Sequence, residues 1–177
     1  DALLAAGANT DATNEAGSTA LMFASQQGHT IIVDALLAAG ANTDVTNEAG
    51  WTALMFASFK GHTTIVDALL AAGANVDAAN DYGGTALVIA SDLGRTTMVD
   101  ALIAAGANVK AVDKGGWTAL MFASQDGHTT IIDALIAAGA NVEAANETGA
   151  TTLMYASQDG HTSVVDALIA AGANVDA

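Results

Sequence analysis

The sequence predicts an all-α solenoid in which antiparallel helix pairs stack in a row and hairpin-like loops join one pair to the next. Three observations carry that prediction. The tripeptide Gly-Ala-Asn begins at Gly7, Gly40, Gly73, Gly106, Gly139 and Gly172, always 33 residues apart. Self-similarity at this period marks stacked supersecondary units rather than one closed core. Each unit also holds two apolar stretches, and a glycine separates them.

The elements follow in order. Thr19, Thr52, Thr85, Thr118 and Thr151 each precede an apolar run and suit a helix N-cap. Gly28, Gly61, Gly94, Gly127 and Gly160 then end that first helix. In the second unit the next helix is expected from about Thr63 to Ala72, with Ile65, Val66, Leu69 and Leu70 on its apolar face. Gly73-Ala74-Asn75 turns the chain into the following hairpin. One pair of such short helices cannot bury its apolar face alone, so stability must come from interfaces between adjacent units. The division is a single domain with a partial unit at 1–6, full units at 7–39, 40–72, 73–105, 106–138 and 139–171, and a partial unit at 172–177. Both ends cut a unit. The expectation is a piece of a longer array, or one that associates end to end, with a frayed first helix at Asp1 to Ala6.

The unit reads Gly-x-Thr-Ala-Leu-Met-Phe-Ala-Ser, then Gly-His, then Ile-Val-Asp-Ala-Leu-Leu, then Gly-Ala-Asn-Val-Asp. This resembles the ankyrin repeat over essentially the whole chain. Two columns depart from the family pattern. Its proline at the first helical position is replaced by Ala20, Ala53, Ala86, Ala119 and Thr152. Its histidine two places later is replaced by Met22, Met55, Val88, Met121 and Met154, which exchanges a hydrogen-bonded turn for apolar packing.

Composition narrows the function. The chain has 4 Lys and Arg against 19 Asp and Glu, a net charge of −15. Such scarcity of cations argues against nucleic acid, whose phosphates need neutralising, and against anionic membranes. The longest apolar runs, such as Ile131 to Ala140, include an Asp and are half the ~20 residues a spanning helix needs. With no Cys there is no thiolate metal site or thiol nucleophile, and no phosphate loop or converging catalytic set is present. The sequence therefore reads as a non-enzyme.

Four columns are candidates for function. His29, His62, His128 and His161 follow the first-helix glycine, with Arg95 in the third unit. The resemblance implies that these histidines hydrogen-bond between repeats and are structural. It also implies that hairpin tips and the exposed end of the first helix hold a protein partner. At those places stand Trp51, Phe59, Lys60, Tyr82, Leu93, Trp117, Gln125 and Asp126. The aromatic and aliphatic members fall in the three central repeats, as do all four cations: Lys60, Arg95, Lys110 and Lys114. Aromatic and basic residues at the centre of an interface are the usual hot spots. The acidic surround would steer a basic partner.

The hairpins carry a third column of oxygen donors: Asp11, Asn14 and Glu15, then Asp44, Asn47 and Glu48, then Asp77, Asn80 and Asp81, then Glu143 and Glu147. Calcium takes six to eight oxygens of these kinds, so a Ca2+-stabilised scaffold is the rival function. Turn hydrogen bonds to the backbone are the structural alternative for the same residues. The loop from Asn108 is a built-in control, because Lys110 and Lys114 replace acids there. The fourth column is Asp1, Asp34, Asp67, Asp100, Asp133 and Asp166 on the second helix. At a spacing of about 10 Å neighbours would repel by about 0.4 kcal/mol in water. A place near the first helical turn would offset part of this through the helix dipole.

Overall fold

The computed structural model describes residues 7–176; the expected helix at Asp1 to Ala6 lies outside them. Ten helices occur among the described residues, in five pairs: α1 (Ala20–Gln27) and α2 (Thr30–Ala38), α3 (Ala53–Lys60) and α4 (Thr63–Ala71), α5 (Ala86–Asp92) and α6 (Thr96–Ala104), α7 (Ala119–Gln125) and α8 (Thr129–Ala137), and α9 (Thr152–Gln158) and α10 (Thr162–Ala170). No strand forms among them. Single antiparallel bridges, such as Ala79 with Thr85 and Val112 with Thr118, close the bases of four hairpins.

Local chemistry sets the helix boundaries. The hydroxyls of Thr19, Thr52, Thr85 and Thr118 accept the N–H three residues on, at 3.2–3.3 Å, the bond an N-cap supplies. Thr151 departs from the expectation and makes no side-chain cap. Glycines at positive φ follow each first helix, but α5, α7 and α9 have their C-caps one residue before theirs, at Leu93, Asp126 and Asp159. The N-cap positions of the second helices are His29, His62, Arg95, His128 and His161, none of which caps with its side chain. The rings of His62, His128 and His161 are engaged elsewhere.

Packing runs in series. Leu21, Leu54, Leu87 and Leu120 are buried in one column, and Met22, Met55, Val88 and Met121 in the next. Met22, Met55 and Met121, which replace the family's histidine, are therefore core, whereas Met154 in the last repeat is exposed. From the second helices come Val33, Val66, Val99 and Ile132, all buried. First helices pack on each other more extensively than second helices do. Ser25, Ser58, Ser91 and Ser124 form a buried column whose hydroxyls find no hydrogen-bond partner.

The aspartate column sits farther along its helix than expected. Asp34 is the fifth residue of α2, and its equivalents hold the same place, so no acid lies in a first turn. The dipole effect falls off within that turn, so it offers these carboxylates less relief than the sequence suggested.

Candidate functional site

Each hairpin is built on a side-chain turn. Asn47 Oδ1 accepts the N–H groups of Ala49 and Trp51 at 3.0 and 2.9 Å. Asn14, Asn80 and Asn146 do the same in their repeats, and Asp113 replaces the asparagine in the fourth. Each tip is also tied to the next by a backbone bond. Glu48 N–H donates to the Ala16 carbonyl at 3.0 Å, and Lys114 N–H to the Tyr82 carbonyl at 2.9 Å. The tip glycines permit this approach. A Cβ on Gly50 or Gly83 would come within 2.8 Å of the next repeat's backbone, besides opposing a positive φ.

The aromatic candidates separate into two groups on this scaffold. Trp51 is half-buried, with its ring 5.1 Å from Phe56 and edge-on to Phe59 at 5.8 Å. Lys60 Nζ stands over the Phe59 ring at 5.3 Å, within cation–π range. Trp117 is also half-buried, 4.9 Å from Phe122 and 4.4 Å from Tyr155 of the following repeat. The Tyr155 hydroxyl accepts Asn146 Nδ2 at 2.8 Å. Both indoles thus occupy the same place in their repeats. Between them Gly84 leaves the column without a side chain, and Tyr82 stands 71% exposed at the tip. Phe59 is 42% exposed and Leu93 is exposed at the end of α5. The sequence reading missed Phe56, Phe122 and Tyr155. Their signal was present: they stand in one column with Phe23 and Ile89, facing the tip column.

Gln125 and Asp126 end the fourth repeat's first helix, with exposed side chains. The Gln125 carbonyl lies 2.9 Å from His161 Nε2, as Gln26's lies 3.3 Å from His62 and Asp92's 3.3 Å from His128. The histidines therefore join successive repeats, as the resemblance implied. Each ring also lies against the preceding repeat's glycine, where a Cβ on Gly28, Gly94 or Gly127 would meet it at 2.6–2.7 Å. Asp126 Oδ2 stands 4.0 Å from His128 Nε2. Nearby Asp92 is raised from its ordinary value, first by burial and then by the Asp126 charge, with His128 pulling the other way.

The hairpin acids are spread along the stack rather than gathered. Asp11 Oδ1 accepts the N–H of Asn42 in the next repeat at 2.8 Å. Asp44 accepts that of Asn75, Asp77 that of Asn108, and Glu143 that of Asn174, all at 2.8 Å. The asparagine amides are the turn acceptors already described. Glu15, Glu48, Asp81 and Glu147 are exposed at the tips. Among the described residues no three acids or histidines lie close enough to hold a metal ion.

A family model described as ankyrin repeats (3 copies) matches residues 1–80, 31–113 and 87–177. No curated protein matches the chain.

Proposed function

Because the chain belongs to the ankyrin repeat family, whose repeats generally mediate protein–protein interaction and are typically non-enzymatic scaffolds, we propose that it holds a folded protein partner on its inner face and hairpin tips. One observation carries the finer reading: large apolar side chains stand exposed on the tips and first-helix ends of the central repeats, at Phe59, Tyr82 and Leu93. The half-buried indoles of Trp51 and Trp117 flank them and brace the surface from within. Buried aromatic anchors ringed by polar residues are what an interface centre needs. No helix among the described residues is long and apolar enough to cross a membrane. The net charge of −15 favours a basic partner and makes its association rate fall with salt.

The test compares partner capture by the parent chain with capture by the double variant Phe59→Ala, Tyr82→Ala, which leaves the indoles in place. A second variant, Asp133→Ala, alters the outer helix α8. Loss of the captured protein with the first variant and retention with the second is the expected pattern. Equal capture by both variants would refute the assigned surface.

A further inference from the structure

The first-helix ends of the third and fourth repeats carry acids where a helix favours cations. A helix C-terminus bears partial negative charge, which stabilises Lys or Arg in the last turn and opposes Asp or Glu. Lys60 ends α3 in keeping with this. Asp92 is the last residue of α5 and Asp126 the C-cap of α7, against it. The two acids also repel each other, since the Asp126 charge is one cause of the raised Asp92 carboxyl, after burial and against the pull of His128. Among the described residues neither has a lysine or arginine within 4.0 Å, and only the His128 ring reaches Asp126 at that distance. It is the Asp92 backbone carbonyl, not its carboxylate, that meets the same ring. Asp44 and Asp77 differ, because each accepts an N–H from the next repeat. The placement of Asp92 and Asp126 thus opposes stability without a compensating contact, and departures of this kind concentrate at functional sites. Apolar groups adjoin them. Leu93 follows Asp92 and is 36% exposed, and Phe59, one repeat earlier in the Asp92 column, is 42% exposed. Beyond Phe59 the sign reverses. Lys60 Nζ stands over the Phe59 ring, and the Arg95 guanidinium lies against Gly61, where a Cβ would meet it at 3.3 Å. Each of α3, α5 and α7 packs between two other first helices, so this surface does not depend on the ends of the stack.

Resting on the reading that this chain holds a protein partner, we propose that Phe59 and Leu93 seat an apolar side chain of that partner, and that Asp92 and Asp126 together take a lysine or arginine beside it. Charge complementarity selects this occupant. A cation set between the two carboxylates replaces their repulsion with two attractions and complements both helix ends. Lys60 and Arg95 repel a cation from the α3 side, so the partner's basic residue is directed to one side of its apolar neighbour. The net charge of −15 attracts basic proteins in general, whereas this pair fixes where the cation goes.

Random linear peptides displayed on phage and selected on the parent chain supply the probe. The Kd of each synthesised peptide is then measured by fluorescence anisotropy. One variant, Asp92→Asn with Asp126→Asn, removes the acid pair. Another, Asp67→Asn with Asp100→Asn, removes the same charge from α4 and α6. Selected peptides should carry Lys or Arg close to an aromatic residue or Leu. Their binding should weaken about tenfold or more with the first variant and less than about twofold with the second. Replacing the peptide's basic residue by glutamine should weaken binding to the parent chain and leave binding to the acid-pair variant unchanged. The acid-pair variant should also have a higher Tm, because it relieves repulsion; a lower Tm would make the carboxylates structural and overturn the proposal. Equal weakening by both variants would overturn it too, leaving net charge alone at work. Peptides lost with Phe59→Ala, Tyr82→Ala but indifferent to the acid pair would overturn this placement while the partner surface stands. Peptides indifferent to all of these residues would end both readings.

Discussion

Repeats three and four meet through a different device from repeats four and five. At the first junction Asp77 Oδ1 accepts the Asn108 N–H at 2.8 Å. At the second, Lys110 stands where that carboxylate would be, and the Asn141 N–H receives none. What the second junction has instead is aromatic. Trp117 packs on Tyr155 at 4.4 Å, and Asn146 holds the Tyr155 hydroxyl at 2.8 Å. The two junctions share backbone geometry: Lys114 N–H to the Tyr82 carbonyl at one, and Glu147 N–H to the Gly115 carbonyl at the other. One docking arrangement therefore accepts either a charge-assisted bond or ring packing as its reinforcement. A repeat array can place functional substitutions where the second compensates for loss of the first.

The strongest way to break this comparison is to remove the aromatic device. Trp117→Ala should cost about 2–4 kcal/mol, toward the low side for aromatic truncations because the indole is half-buried. Urea unfolding with an unchanged m-value checks it. Trp51→Ala should cost less, since its ring contacts stay within its own repeat. Next in size is the carboxylate device. Asp77→Ala should lose about 1–2 kcal/mol, the range of a hydrogen bond to a charged group reduced for exposure. Its amide-exchange signature should be faster exchange at Asn108. Equal loss from Lys110→Ala would contradict the comparison.

Lys110→Asp sharpens it from the other side. The substitution should supply the missing acceptor to Asn141 and raise stability by about 0.5–1 kcal/mol, seen as a higher Tm and slower exchange of the Asn141 amide. The smallest effect concerns Asp92, which faces Asp126 across the first junction. Its carboxyl is raised from the ordinary value of 3.8, so the folded state binds the proton more tightly than the unfolded state does. By linkage, stability from this group falls as pH rises from 3.8 through the raised value, and acidification back through that window restores it. Asp92→Asn should make the chain slightly more stable at neutral pH and flatten that part of the Tm-against-pH curve. A steeper curve in the variant would show that the sign is wrong.

Much of the architecture was legible because each local signal recurs. A threonine before an apolar run and a glycine after it fix a short helix by interactions within one turn, and repetition at 33 residues shows that the units stack. The inter-repeat role of the histidines followed from resemblance. The site was less legible. Trp51 and Trp117 stood out by type and column, but their half-burial against Phe56, Phe122 and Tyr155 makes them braces as well as surface. The hairpin oxygens read both as a cation set and as turn acceptors, because residue types were visible and the inter-repeat partners of the carboxylates were not. Asp44 serves an N–H that lies 31 residues away.

By itself the sequence determined the module, its period, the order of its helices and the sign of its net charge. These depend on covalent neighbours within a few residues and on charges that no fold can remove. Tertiary structure alone decided which carboxylate meets which amide, which glycine must admit a neighbour's ring, and that the aspartate row misses the first helical turn. Contacts spanning 31 to 36 residues depend on how one repeat settles on the next. That docking is set by close packing of buried side chains from both repeats, which no single repeat specifies alone.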